Sequence, residues 1–107
     1  MAYKRETGPD GFQTHIIQRL EELFGDRDLI ILKNDPQYLQ GIPDLSVFVD
    51  SRWAMLETKC GVDKPHRPNQ DYYVDKADRM SFSAFIYPEN EEEVISALIR
   101  HFNPYIQ

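Results

Sequence analysis

Residues 41–59 read Gly41-Ile42-Pro43-Asp44-Leu45-Ser46-Val47-Phe48-Val49-Asp50-Ser51-Arg52-Trp53-Ala54-Met55-Leu56-Glu57-Thr58-Lys59. Two short apolar segments face each other across Asp50-Ser51-Arg52, so the stretch predicts a β-hairpin. A period of two puts Asp44, Ser46 and Phe48 on one face of the first strand and Leu45, Val47 and Val49 on the other. In the second strand, Trp53 to about Lys59, Glu57 and Lys59 share a face opposite Leu56 and Thr58. The start of one hairpin strand lies beside the end of the next. Asp44, Glu57 and Lys59 are therefore expected to meet at one edge.

Upstream, Leu29-Ile30-Ile31-Leu32 is a short apolar run that reads as a strand buried on both faces. Before it, Phe12, Ile16, Ile17, Leu20, Leu23 and Phe24 recur at helical steps. Asp10 with Gln13 resembles a capping box, and Gly25 ends the helix where a left-handed residue is wanted. Residues 1–9 read as a flexible start, with Gly8-Pro9 as a break.

Downstream, Gly61 to Pro68 is a polar loop. A second helix runs from Pro68 or Asn69 to about Met80, with Tyr73, Ala77 and Met80 on its inner face. Phe82 to Tyr87 is a fourth strand ended by Pro88. A last helix opens on an Asn90/Glu93 capping box and an acidic first turn, and packs through Val94, Ile95, Leu98, Ile99 and Phe102. The order α-β-β-β-α-β-α predicts a single α/β domain over residues 1–107, a mixed sheet flanked by helices.

The chain has 107 residues, 41% of them hydrophobic, and the length suits one domain with a modest core. No apolar run is long enough to cross a membrane, and no signal-peptide core follows Met1. One cysteine, Cys60, excludes an internal disulfide and fits a reducing, cytoplasmic setting. The net charge of −6 weighs against nucleic-acid binding, since phosphate contacts favour basic surfaces. Much of that acidity is local, in Glu21, Glu22, Asp26 and Asp28 and again in Glu89 and Glu91 to Glu93.

Two carboxylates and an ammonium at one sheet edge are the parts of a metal-dependent phosphodiesterase site. Hydrolysis needs an aimed hydroxide, neutralisation of charge on phosphorus and help for the leaving oxygen. Mg²⁺ held by hard oxygen ligands supplies all three. Asp44 and Glu57 are the natural ligands, the main-chain carbonyl of Thr58 is a third candidate, and Lys59 lies where it can orient water or hold a phosphate oxygen. Read singly, Asp44 can cap a turn, and Glu57 with Lys59 can be an exposed pair on an edge strand. Lys64, His66 and Arg67 can touch a phosphate backbone from their loop, or simply be solvated. Tyr73 is a further substrate-binding candidate, though it reads as a core residue before a catalytic one.

Gly41-Ile42-Pro43-Asp44, a hairpin, then Glu57-Thr58-Lys59, with Gln70-x-x-Tyr73 on the next helix, resembles the bipartite signature of the PD-(D/E)xK nuclease superfamily. The arrangement is most similar to the VRR-NUC type, found as stand-alone phage proteins and related to Holliday-junction resolvases. The likeness spans about Phe12 to Leu98. It implies a restriction-endonuclease-like α-β-β-β-α-β core with an extra C-terminal helix, and a Mg²⁺- or Mn²⁺-dependent DNA endonuclease, structure-selective or weakly sequence-specific. Asp44 and Glu57 would be the metal ligands, Lys59 the catalytic lysine and Gln70 a supporting residue. If phage-encoded, such a protein would work in the host cytoplasm. The resemblance also implies a homodimer, because paired nicks across a branched substrate need two sites. The glutamate that the family often carries on its first helix has no clear counterpart here; Asp10 is the nearest candidate for an added ligand. The alternative is an inactive nuclease-fold module that binds DNA or a protein.

Overall fold

The computed structural model describes residues 8–103. Its elements are α1 (Gly8–Phe24), β1 (Leu29–Lys33), β2 (Leu45–Val49), β3 (Arg52–Thr58), α2 (Pro68–Met80), β4 (Ser83–Ile86), a short 3-10 turn at Pro88–Asn90, and α3 (Glu91–Phe102). The predicted element order is met. The four strands form one sheet in the order β1-β2-β3-β4. β1/β2 and β2/β3 are antiparallel and β3/β4 parallel, so the sheet is mixed, with α2 linking the parallel pair.

The hairpin sets the register. Val49 pairs with Arg52, so the turn is Asp50-Ser51 alone and Arg52 belongs to the strand. Asp50 takes φ +56°, a left-handed conformation that Asp tolerates better than most residues. Its Oδ2 accepts from Arg27 Nε at 3.0 Å and Nη2 at 2.7 Å, fixing the turn against the end of α1.

Phe12, Ile16, Leu20 and Phe24 of α1 join Val94, Ile95, Leu98 and Phe102 of α3 over Leu45, Val47, Val49, Ala54 and Leu56. Phe24 and Phe102 meet edge to face, ring centroids 5.3 Å apart. α2 packs on β3 and β4 from the other side, burying Val74 and Ala77. Glu57 points toward α2 because it alternates with Leu56, whose side chain is in the main core.

Several expectations are corrected. β1 is an edge strand, not one buried on both faces: Ile30 and Leu32 are 59% and 49% exposed. The cause is the reach of α2, which packs mainly on β3 and β4 and leaves Ile30, Leu32 and Phe48 exposed. α1 begins at Gly8, so Gly8 and Pro9 start the helix and Asp10 lies inside its first turn rather than capping it. Proline suits a first turn because the N–H it lacks would have no intrahelical partner. The rest of the segment expected to be flexible, residues 1–7, lies outside the described residues.

Gly25 does end α1, but not through a left-handed φ. A Cβ there would come within 2.4 Å of the Glu21 carbonyl oxygen. Met80, expected inside, is 66% exposed, and Val74 takes its place against the sheet. Ile99 is also partly exposed. Asn90 does not cap α3. Its Oδ1 accepts from Tyr87 N–H at 2.9 Å and its Nδ2 donates to the Phe85 carbonyl at 3.0 Å, closing the 3-10 turn instead.

Candidate functional site

Asp44 stands one residue before β2, held by a neighbour that sequence reading passed over. Asn34 N–H donates to the Asp44 carbonyl at 2.8 Å, and Asn34 Nδ2 donates to the Pro43 carbonyl at 2.8 Å. The Asn34 amide also exchanges hydrogen bonds with the Ser46 hydroxyl. Across the hairpin, Asp44 Oδ2 accepts from Thr58 N–H at 3.0 Å and Thr58 Oγ1 at 2.8 Å. Thr58 therefore orients the aspartate through its own N–H and hydroxyl. Asp44 Oδ1 has no hydrogen-bond partner among the described residues.

Glu57, the penultimate residue of β3, is 4% exposed. Its Oε2 accepts from Gln70 Nε2 at 3.1 Å and lies 3.8 Å from Lys59 Nζ. Burial foremost, and then the facing Asp44 carboxylate, push the Glu57 acid up from 4.5 to about 7; the Lys59 ammonium and a hydrogen bond from the Asp44 backbone N–H offset this only in part. Lys59 Nζ donates to Gln70 Oε1 at 3.0 Å and to the Pro65 carbonyl at 3.2 Å.

Gln70 is the joint of the site. Its oxygen also accepts from Arg67 N–H at 3.0 Å, so one side-chain amide caps the start of α2, holds the lysine and braces the glutamate. The amide has only one possible orientation here, oxygen toward the donors and nitrogen toward the carboxylate. Arg67 has no acceptor to offer the helix, so Gln70 supplies the whole side-chain cap.

Asp44, Glu57 and Gln70 open on a cleft of about 450 Å³ whose far wall is formed by the segment between β1 and β2, including Gln37 and Gln40. Gly41 in that wall has φ +92°, and a Cβ there would sit 2.8 Å from Asn69 of α2. Only glycine allows both the turn and the close approach.

The structure brings Asp44, Glu57, Lys59 and Gln70 together as the sequence predicted. The remaining candidates are divided. Arg67 lines the cleft. His66 stacks on Phe85, centroids 3.8 Å apart and planes 12° from parallel, with Nδ1 3.1 Å from Asp71 Oδ1. Lys64 is exposed, away from the cleft lining. Tyr73 is half-buried, edge to face with Tyr72, and does not line the cleft. Asp10 is exposed on α1 and likewise absent from the lining.

Among the described residues no three His, Cys, Asp or Glu side chains cluster as a metal-ligating group. Two carboxylates, one with an unpartnered oxygen, are hard donors that fit a single divalent cation with water completing its shell. No family model, curated protein or solved structure matches the chain. No helix among the described residues is long and apolar enough to cross a membrane.

Proposed function

We propose that the protein is a metal-dependent endonuclease that hydrolyses DNA phosphodiester bonds, built on the restriction-endonuclease-like core of the PD-(D/E)xK superfamily, VRR-NUC type. The observation that carries the reading is Glu57: a buried acid facing a second acid, with an amide, the Asp44 backbone N–H and a lysine at 3.8 Å as its partial compensation. Such an arrangement destabilises the ionised pair unless a cation enters. Structural carboxylates are normally paired more fully.

Asp44 and Glu57 would hold Mg²⁺ or Mn²⁺, with the Thr58 carbonyl as a further donor. When bound, the ion supplies Lewis acidity and an activated water. The chain's own contribution is positional. Thr58 aims Asp44, Gln70 fixes the angle between Glu57 and Lys59, and the Lys59 ammonium stands ready for a non-bridging phosphate oxygen or the attacking water. Arg67 at the start of α2 adds a cation for the phosphate on the cleft side.

A domain this small has little surface for reading bases, so recognition of branched DNA by shape, or weak sequence preference, is the expected mode. Paired nicks would require a homodimer. The net charge of −6 favours one rival, a module that binds DNA or a protein without cutting.

A plasmid-nicking assay separates the two. Wild type nicks supercoiled DNA only with Mg²⁺ or Mn²⁺, while Asp44→Ala and Lys59→Ala lose about 10²–10³-fold in rate yet melt normally. Undiminished nicking by Lys59→Ala removes the mechanism.

A further inference from the structure

The two edges of the sheet are finished differently. At β4, side chains occupy outward backbone groups. Asp78 Oδ1 accepts from Ser83 N–H at 3.1 Å, Asn90 Nδ2 donates to the Phe85 carbonyl at 3.0 Å, and Asn90 Oδ1 accepts from Tyr87 N–H at 2.9 Å. β1 has no such cover among the described residues. Asp50 N–H donates to the Asp28 carbonyl and Asn34 N–H to the Asp44 carbonyl, each at 2.8 Å. With the unbroken register between them, these bonds assign the backbone groups of residues 28, 30, 32 and 34 to β2. Those of Leu29, Ile31 and Lys33 therefore point off the sheet.

We infer that β1 is a contact between two copies of this chain: Leu29–Lys33 pairs antiparallel with the same strand of a second copy about a twofold axis at Ile31, joining two sheets into one. Nothing in this contact depends on the nuclease reading, which separately asks for two sites.

The edge is complementary to itself in hydrogen bonding. Centred on Ile31, the pairing sets Leu29 opposite Lys33 of the second copy and Ile31 opposite its own counterpart. These are the residues whose N–H and C=O groups are free, so each finds a partner. Sliding the register by two residues leaves Leu29 or Lys33 without one.

Apolar surface is matched as well. Ile30 and Leu32 are exposed, and so is Phe48, which lies opposite Ile30 on β2. In the pair, Ile30 meets Leu32 of the second copy, and the two patches become one strip across the axis. No proline or bulge interrupts β1, and Lys33 at its end is its only charge. An edge of this kind invites pairing, and a twofold contact stops it at two chains.

Charge selects the antiparallel arrangement. On the other face, Glu21 and Lys33 line a groove of about 260 Å³ with Ile17, Leu29 and Ile31, and neither makes an ion pair among the described residues. Antiparallel pairing carries each Lys33 to Leu29 of the other copy, so that its ammonium joins the groove that holds Glu21. Parallel pairing would set the two lysines side by side. The axis is perpendicular to the sheet, so both acid clefts open on the same side of the joined sheet.

Sedimentation and light scattering of the full chain, without DNA or metal, test the contact. Wild type should run at twice its 12.6 kDa mass. Ile30→Lys/Leu32→Lys and Ile30→Glu/Leu32→Glu put like charges opposite one another across the axis. Each should be a monomer that still melts cooperatively, since both positions are exposed. An equimolar mixture of the two variants should restore the dimer, because every lysine then faces a glutamate. Restoration excludes misfolding as the cause of the monomers and reports the register. A wild type that is monomeric or open-ended, a variant that dimerises alone, or a mixture that stays monomeric overturns the contact. A dimer that never nicks DNA keeps the contact and removes the nuclease; nicking by a monomeric wild type does the reverse.

Discussion

Two glutamates of this protein are buried to nearly the same degree and live in opposite circumstances. Glu91, 8% exposed at the start of α3, has Arg19 Nη1 at 2.7 Å and His15 Nε2 at 2.8 Å, and Arg19 also reaches Glu92. Glu57, 4% exposed at the end of β3, has neutral amide donors in Gln70 and the Asp44 backbone, a more distant lysine and another carboxylate. The first is matched by cations and serves to bind α1 to α3. The second is under-compensated beside an open cleft. A buried acid is not by itself a sign of function, whereas a buried acid with another acid for a neighbour is one.

The sharpest way to break the contrast is to neutralise Glu57. Its folded-state value of about 7 lies above the ordinary 4.5, so the folded metal-free protein binds the proton more tightly than the unfolded chain does. The stability that this gives is complete below about pH 4.5 and is lost as pH rises through about 7. Glu57→Gln, which keeps the shape and drops the charge, should therefore gain on wild type as pH rises, reaching on the order of 3 kcal/mol at pH 8. Urea melts of both proteins at pH 4.5, 6 and 8 read the difference directly. A constant gap across that range would show that Glu57 is not held in an unfavourable ionised state.

The opposite result is expected at the other glutamate. Arg19→Met leaves Glu91 with His15 alone, and should lower stability by about 2 kcal/mol, less than a fully buried pair because the guanidinium is partly exposed. Nicking should be unaffected in the surviving folded fraction. Loss of nicking without loss of stability would mean that the two clusters are coupled.

A smaller effect is expected at the cleft wall. Gly41→Ala places a Cβ against Asn69 at a positive φ and should cost about 1–2 kcal/mol in a urea melt. A melt identical to wild type would show that the wall is not locked to α2.

The sequence made the Glu57 side of this contrast legible and left the Glu91 side hidden. Glu57 and Lys59 are two apart on one strand and Asp44 is brought to them by a short hairpin, so local periodicity was enough to assemble them. His15 and Arg19 lie 76 and 72 residues from Glu91, and only the packing of α1 on α3 joins them. Glu91 to Glu93 therefore read only as an acidic first turn matched to the helix dipole, whereas the first of them is buried against α1.

Asn34 was missed for a similar reason. Its role needs the antiparallel pairing of β1 with β2, which Leu29 to Leu32 as an isolated apolar run did not specify. That run also concealed an edge strand, because burial on the second face depends on how far α2 reaches and not on composition. Gln70 was found by its place in a motif, but its threefold bonding to Glu57, Lys59 and Arg67 N–H required coordinates.

Magnesium titration of the metal-free protein at pH 8, followed by thermal melting, tests the central claim most directly. If Glu57 and Asp44 form a cation site, wild-type stability rises with Mg²⁺, by about 2.7 kcal/mol at a hundredfold excess over the dissociation constant, and the rise is absent in Glu57→Gln and in Asp44→Asn. An equal response in all three proteins, or none in wild type, would contradict the account.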